Sequence, residues 1–460
     1  MGWVRHESYS GTPEIATPGD LGFSAATAVF NSAAVPEPAA AVVARTVEHV
    51  RTAIRYARDR GLAVRVHSTG HGAASVRPVR GAMLIRTAMD GAVTVDPGTR
   101  TAWVPAGKRW QDVVLATEPY GLAAAHGSSG TVGVVGHALR GGLSPYGRLV
   151  GLGANGVRAV ELVTADGEHR RVDAGADTAL FWALRGGGGG FGVVTAVELD
   201  LFPVTGVITG AAFWPGPLID RLLAAWLDWT RDAPVIATTS VRVMNLPDVP
   251  DVPPELAGRA TFVLDGVVHA GDQMAARRSA ADLLGPLRTV GAPLIDTWQE
   301  DVPSAVLRAH LDPAGPLPII GDHMLLTELN TDGVTRLLDV LGDGSPLVGA
   351  GLRQLSGAYA NPPTAGGALD RLDASYSYAG SGLAFDQDAT AALRAHCAKV
   401  RRALDPWNTG RVVPSFVEDV TQPQQHLDTA VAAEVDRIRA RVDPDGLFRD
   451  DVSPTHAGQE

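Results

Sequence analysis

The stretch that decides the fold is "VRVHSTGHGA", residues 64 to 73. Its first residues, Val64 to Val66, are a β-branched run typical of a strand, and they lead into a turn of small residues. The turn holds two histidines four positions apart, His67 and His71. Such a pair could be metal ligands, a nucleophile with its base, core residues or cofactor contacts, and the rest of the sequence must distinguish these.

Two of these interpretations fit the local sequence poorly. A helix can present histidines at i and i+4 to zinc, but "HSTGHG" is too rich in glycine and threonine for a helix and lacks the glutamate of H-E-x-x-H. We therefore predict no metal site. A nucleophile and base would need a third convergent group that the sequence does not show. A turn histidine bonded to backbone and a histidine beside a cofactor pyrophosphate both stay open.

Composition narrows the class of protein. The chain has 460 residues, more than one hydrophobic core usually organises, so two or three domains are expected. The formal net charge of −11 argues against nucleic acid or an anionic membrane surface as a partner. The single cysteine, Cys397, excludes an internal disulfide and lies in a helical pattern that predicts a buried side chain. No apolar run of membrane length is found, so we expect a cytoplasmic protein.

The order of patterns along the chain predicts an α+β protein. A helical pattern ending at Gly61 precedes the quoted strand, and short β-branched runs follow it. "VRAVELVTADGEHRRV" predicts a hairpin with its turn at Asp166 and Gly167. From Val204 the pattern changes to a tryptophan-rich helix and alternating strands and helices. We predict a first domain in residues 1–203 that is completed by residues 405–460, with a second domain in 204–404.

Three glycine-rich segments point to a ligand. "GLGANG" (151–156) and "GGGGGFG" (186–192) contain the G-x-G-x-x-G spacing, but a strand follows each, the reverse of the dinucleotide-binding order. Neither ends in the Gly-Lys-Ser/Thr of a P-loop. A third segment, "HGSSGTVGVVGHALRGGL" (126–143), holds six glycines among small residues. Together the segments indicate backbone pressed against a flat or polyphosphate ligand, with peptide N–H groups as donors.

At this point the sequence resembles the FAD-linked oxidases of the vanillyl-alcohol-oxidase superfamily, in their berberine-bridge-enzyme-like branch. The matching segments are 30–66, which includes the quoted strand, 130–168, 180–203 and the C-terminal "VDPDGLFR". The resemblance implies a two-subdomain PCMH-type FAD-binding domain plus an α/β substrate domain whose antiparallel sheet is flanked by helices. It also implies that the flavin 8α-methyl group is covalently bonded to His71.

Carried onto this chain, the resemblance gives a set of cofactor-binding residues. They are His67, Ser68, Thr69, Gly70, His71, Gly72, Gly127, Ser128, Ser129, Val132, Gly133, Gly136, His137, Gly141, Gly142, Gly192, Val194, Ser415 and Phe416. In this set His137 is expected to order the surrounding backbone, and the role of His67, where the family often has arginine, is left open.

The departures from the family matter as much as the matches. Many members carry a second covalent link through a cysteine where this chain has Ser129, so attachment through His71 alone is implied. Members also commonly have a Tyr-x-Asn-Phe stretch whose tyrosine is the base. Here Val413 and Ser415 stand in those places, so the usual base is missing.

Several residues are candidates for the replacement base, most of them in the second domain. Tyr376 and Tyr378 alternate onto one face of a predicted strand, and we predict that one of them faces the flavin; the alternative is that they are ordinary strand aromatics. His323, Glu328 and Glu418 are further candidates, each against the alternative of a surface or satisfied polar residue.

The resemblance implies a flavin-dependent oxidoreductase in which a base removes a proton from a small organic substrate and a hydride passes to flavin N5. Bacterial-type secondary metabolism is the expected setting, and dioxygen is an allowed electron acceptor. A flavoprotein cyclase or isomerase without net redox turnover is the alternative, and a non-catalytic binding module is a third hypothesis, because the usual tyrosine is absent.

Overall fold

The computed structural model describes residues 11–250, 252–342, 344–364 and 366–453. Its strands form four sheets, and its helices cover them in an α+β arrangement. Among the described residues no helix is long and apolar enough to cross a membrane.

The quoted stretch lies in a small parallel sheet. Its three strands, in spatial order, are Ala40–Ala44, Met83–Thr87 and Val64–His67. The helix Val47–Asp59 connects the outer strands, and the Thr46 side chain caps it by accepting a hydrogen bond from the backbone N–H of His49. The strand therefore ends at His67, and the turn 68–72 emerges from the carboxyl edge of a parallel sheet, where such folds place ligands.

A five-stranded antiparallel sheet follows. Its strands, in spatial order, are Thr94–Asp96, Thr101–Pro105, Val193–Asp200, Val157–Val163 and His169–Asp173. The last two form the predicted hairpin, which is confirmed. The helices of this region are Trp110–Thr117, Val134–Leu139, Gly147–Val150 and Thr178–Leu184. A two-residue pair, Leu122–Ala123 with Phe202–Pro203, links its loops.

A large antiparallel sheet is built from the middle of the chain. Seven of its eight strands lie in the spatial order Ile295–Asp296, Val207–Pro215, Ala260–Val268, Ala237–Asn245, Gly349–Gln354, Tyr376–Leu383 and Ile319–Leu326, and Gln299–Asp301 pairs beside Val207–Pro215. Its helices are Ile219–Arg231, Gln273–Val290, Val306–Ala309, Thr331–Leu341 and Gln387–Leu404. The short helix Phe23–Thr27 precedes all of these, and Thr429–Val442 follows them.

The four long helices, Ile219–Arg231, Gln273–Val290, Thr331–Leu341 and Gln387–Leu404, pack against one face of the large sheet. Trp226, Tyr378 and Cys397 are buried together in the core between that face and its helices, which confirms the predicted burial of the cysteine. The opposite face of the sheet turns toward the glycine-rich segments, and the space between them is the site described next.

Candidate functional site

A cavity of about 1100 Å³ lies between the glycine-rich segments and the open face of the large sheet. Of the predicted cofactor-binding residues, all but two contribute to its wall. The exceptions are Gly141 and Gly142, which lie just behind it: the backbone N–H of Gly142 donates to Oγ of Ser415, and a side chain at Gly142 would collide with His137. Residues far apart in sequence are thus brought to one site.

The turn after the quoted strand is tightly held. Gly70 has a φ of +75°, and a Cβ there would come within 2.6 Å of the Val29 backbone, so only glycine fits without displacement. Nε2 of His67 lies 2.8 Å from the carbonyl oxygen of Ala26. Burial lowers the pKa of His67 to about 4, so the ring is neutral at pH 7 and its Nε2–H donates to that carbonyl. His67 therefore ties the start of the turn to Ala26, and its contact with a cofactor stays a prediction.

His71 is positioned from two sides. Its ring stacks on Phe30 with centroids 3.7 Å apart and planes 13° apart. Its Nε2 lies 3.1 Å from Oγ1 of Thr131. Burial is the main reason that the pKa of His71 falls to about 4, so the ring is neutral at pH 7. No hydrogen bond from a side chain to Nδ1 of His71 is found among the residues that the structure describes, and the ring also has a hydrogen bond with the backbone of Thr131.

The second glycine-rich segment supplies hydroxyl groups to the same corner. Oγ of Ser129 lies 2.9 Å from Oγ1 of Thr131, and Oγ of Ser128 donates to Asp312 at 2.8 Å. His137 is buried behind the segment, with Nε2 3.2 Å from the carbonyl oxygen of Leu143, in contact with the glycine backbone. That His137 orders this backbone stays a prediction.

The five-glycine run closes the far end of the cavity. Gly189 and Gly192 have φ values of +89° and +139°, and a Cβ at either would collide with the carbonyl oxygen of a neighbouring segment. The backbone N–H of Ser453 donates to the carbonyl oxygen of Gly188 at 2.8 Å. The run is therefore a fixed, closely packed turn, and its glycines are required by the approach of other backbone.

The wall formed by these segments suits a phosphate-containing cofactor. The backbone N–H groups of residues 68–71 donate to no acceptor within the described part of the chain. Nε and Nη2 of Arg140, which also lines the cavity, are buried without a hydrogen-bond partner. Free N–H groups and an unsatisfied guanidinium next to glycine backbone are the donors that a pyrophosphate takes. The residues present thus fit FAD.

The opposite wall carries a carboxyl group with an altered pKa. Glu418 lines the cavity and has no hydrogen-bond partner among the described residues. Burial, and secondarily the negative charge of Asp312, raises its pKa to about 7. A side chain on the sheet at Gly321 would collide with the Glu418 carboxylate, so the glycine leaves the space that this group occupies.

The predicted tyrosines lie elsewhere. Tyr376 and Tyr378 do alternate onto one face of the strand Tyr376–Leu383, but this is the helix-covered face, and neither side chain reaches the cavity. The hydroxyl of Tyr376 lies 2.8 Å from Oγ1 of Thr230, and Tyr378 is fully buried. The neighbours on the cavity side are the small residues Ala379 and Ser381. The expectation that either tyrosine faces the flavin is corrected accordingly.

Two other candidates are accounted for structurally. His323 is completely buried; its Nδ1–H donates to the carbonyl oxygen of Tyr378 at 2.6 Å, and its Nε2 accepts from the backbone N–H of Val413 at 3.0 Å. Burial lowers its pKa to about 3. Glu328 is exposed outside the cavity. Val413, in the place of the family's tyrosine, is buried in the core.

Sequence reasoning missed Phe30, Thr131, Asp312 and Arg140. Thr131 lies inside a segment singled out for its glycines, and its hydroxyl was a usable signal. Asp312 is in a proline-rich loop with no local pattern, so only the fold brings it to the cavity.

Comparison with known proteins agrees with this geometry. Residues 38–173 match the family described as FAD binding domain. The chain is 28% identical over 284 residues to (R)-6-hydroxynicotine oxidase of Paenarthrobacter nicotinovorans, a match that covers 60% of this chain and 59% of that protein.

Two solved structures share the fold over nearly the whole chain. BBE-like 1 of Physcomitrella patens superimposes with a TM-score of 0.79 at 18% identity, covering 97% of this chain and 98% of that one. Berberine bridge enzyme from Eschscholzia californica gives a TM-score of 0.78, also at 18% identity, covering 98% of each chain.

Residues 38–173 thus match an FAD binding domain, and nearly the whole chain shares the fold of these solved structures. The relatives and structural neighbours include (R)-6-hydroxynicotine oxidase and berberine bridge enzyme, and this confirms the resemblance drawn from the sequence.

Proposed function

We propose that the protein is an FAD-linked oxidoreductase that oxidises a small organic substrate. The observation that carries this proposal is the cavity itself: one wall holds His71 and the phosphate-binding donors, and the other holds Glu418. Bound FAD would supply the hydride acceptor, N5. The chain's own residues then bind the cofactor, enclose the substrate and remove one proton from it.

In this proposal FAD is attached by a single covalent bond, through His71. The support is that His71 lies in the cavity wall, is neutral, is stacked on Phe30 and is held through Nε2 by Thr131. Ser129 has no thiol to form a second link. The other predicted cofactor-binding residues act through their backbone N–H groups and through the space that their missing side chains leave.

Glu418 is the base in this proposal, in place of the tyrosines. A general base works best when its pKa is near the working pH, and the pKa of Glu418 is about 7. Its carboxylate faces the cavity from the sheet side, so a substrate held between sheet and flavin would meet it. Asp312 supports this role because its charge helps to raise the pKa of Glu418.

The substrate in this proposal is a small molecule of bacterial-type secondary metabolism, in the cytoplasm, with dioxygen as the final electron acceptor. A relative is an oxidase of 6-hydroxynicotine, which is compatible with a small cyclic substrate. A cyclase or isomerase would use the same base but leave the flavin oxidised, so the colour of the flavin separates the two reactions.

The first experiment denatures the purified protein in acid and asks whether a mass increment of FAD stays with the polypeptide. We expect the increment in the wild type and in His169→Ala, an exposed histidine on the outer strand, and its loss in His71→Ala. Candidate substrates are then added without oxygen, and bleaching of the flavin identifies those that are oxidised. A colourless wild type, or a flavin that is held equally well without His71, contradicts the proposal.

A further inference from the structure

We infer that Thr131 is the positioning residue for cofactor attachment: its hydroxyl presents Nδ1 of His71 as the bond-forming nitrogen and accepts the proton that Nε2 must lose. This inference rests on the proposed attachment of FAD through His71 and adds to it the residue that directs the reaction.

The geometry at His71 leaves one nitrogen for the bond. A neutral imidazole carries one N–H and one lone pair, on different nitrogens. Nε2 is 3.1 Å from Oγ1 of Thr131, and Phe30 covers one face of the ring at 3.7 Å. Since Nε2 is occupied and the ring plane is fixed, Nδ1 is the nitrogen available to a ligand in the cavity.

A second hydroxyl sets the direction of the first. Oγ of Ser129 lies 2.9 Å from Oγ1 of Thr131 and also accepts from the backbone N–H of that residue. When the Thr131 hydroxyl donates to Ser129, its lone pair accepts the Nε2–H of His71, and the lone pair of Nδ1 is left free to attack. The three groups form a directed chain from the imidazole to the cavity wall, where Ser129 lies.

The hydrogen bonds among His71, Thr131 and Ser129 can also point in the opposite direction. Once Nδ1 carries the flavin, Nε2 has lost its hydrogen and needs a donor. Hydroxyl groups both donate and accept, so Thr131 can then donate to Nε2 while Ser129 donates to Thr131. The same pair of hydroxyls therefore suits the imidazole before and after the bond forms. A backbone amide or a lysine at this position would suit only one of these states.

The atoms and electrons of the step balance with dioxygen as oxidant. The new bond joins Nδ1 of His71 to the 8α carbon of the flavin. One methyl hydrogen and the Nε2 hydrogen leave as protons, the latter through Thr131 and Ser129. The two electrons released reduce the flavin ring, and dioxygen then takes them up with two protons to form hydrogen peroxide.

The surroundings keep His71 a neutral nucleophile. Burial lowers its pKa to about 4, whereas Asp312 and a hydrogen bond with the Thr131 backbone act to raise it and Arg109 to lower it. The ring is therefore neutral at pH 7, with a hydrogen on one nitrogen and a lone pair on the other. Thr131 decides which nitrogen has the lone pair.

The test uses full-length apoprotein from a riboflavin-starved host, incubated with FAD in air. Mass spectrometry of the acid-denatured chain follows the covalently labelled fraction over time, and quenching of protein fluorescence measures FAD binding separately. We expect Thr131→Val, which keeps the shape and removes the hydroxyl, to slow labelling about tenfold, near the upper range for one hydrogen bond. Binding should be unchanged, and Thr131→Ser should restore the rate.

A second variant keeps the inference open to refutation if Thr131→Val folds poorly. Ser129→Ala leaves the Thr131 hydroxyl in place but interrupts the chain of hydrogen bonds. Because Ser129 also lines the cavity, its labelling rate is measured at saturating FAD, where we expect it to be slowed by a smaller factor. Labelling of Thr131→Val or Ser129→Ala at the wild-type rate overturns the inference and leaves attachment through His71 intact. A wild-type chain that binds FAD but is never labelled overturns both.

Discussion

The ionisation of Glu418 should make the free energy of unfolding depend on pH, and Glu418→Gln should remove this dependence. In the folded protein, burial raises the pKa of this carboxyl from its ordinary value of 4.5 to about 7. Between these pH values the folded state holds a proton that the unfolded state has lost. The free energy of unfolding therefore decreases as pH rises through this window, and above pH 7 the full cost of the buried charge is present.

The magnitude follows from the two pKa values. A difference of one in pKa corresponds to about 1.4 kcal/mol, so the change from 4.5 to about 7 corresponds to about 3 kcal/mol at most, because water in the cavity reduces it. Glu418→Gln cannot ionise and lacks this cost. The difference in unfolding free energy between variant and wild type should rise by up to about 3 kcal/mol from pH 4.5 to 7.5 and then stay constant.

Urea denaturation followed by circular dichroism, repeated at each half pH unit, measures this difference. Glu328→Gln, an exposed carboxyl outside the cavity, is the matched control and should show a small difference. Asp312→Asn should move the rise caused by Glu418 toward lower pH, because it removes the secondary cause of the raised pKa. A difference between Glu418→Gln and wild type that is constant from pH 4.5 to 7.5 would refute the reasoning, and with it the proposal that Glu418 is poised as a base.

Two further substitutions test the walls of the cavity. Asp265→Asn should lower the unfolding free energy by about 3–5 kcal/mol. The guanidinium of Arg242 is largely buried and lies 2.9 Å from the Asp265 carboxylate, so the substitution leaves it without a counter-charge. A loss of less than about 1 kcal/mol in thermal denaturation would contradict this. Gly70→Ala should destabilise the protein by about 1–3 kcal/mol and lower the fraction of the protein that carries covalent FAD, because the new Cβ meets the Val29 backbone in a left-handed turn. Gly81→Ala, with a similar φ but open space around it, should leave that fraction unchanged; mass spectrometry of the acid-denatured protein measures both.

The cofactor side of the site was largely predictable from sequence because its determinants are local. A strand that ends in small residues, and glycines that let backbone approach closely, are visible in short windows. His71 and the 126–143 segment were both found in this way, and both line the cavity. The predicted residues that do not line it, Gly141 and Gly142, lie just behind the wall.

The substrate side was not predictable to the same depth. Tyr376 and Tyr378 do lie on one face of their strand, as predicted. Both faces of this strand are buried or half-buried, so the sequence has no polar side that would mark the cavity. Which face meets the helices is decided by packing of the whole sheet. Glu418 was one candidate among several because its raised pKa depends first on burial in the folded cavity and second on Asp312, which is about a hundred positions away in the chain.

The participation of Asp451 in the cavity wall has a consequence for biosynthesis. Its carboxylate accepts the backbone N–H of Val66 at 3.0 Å, at the strand that leads into the His71 turn, and Ser453 binds the glycine run. The ribosome releases the N-terminal strands long before residues 451–453 are made, so the nascent chain cannot complete its pocket until these residues have emerged. Flavin capture should therefore be late in synthesis, and cells short of riboflavin should accumulate a folded, vacant form of the protein.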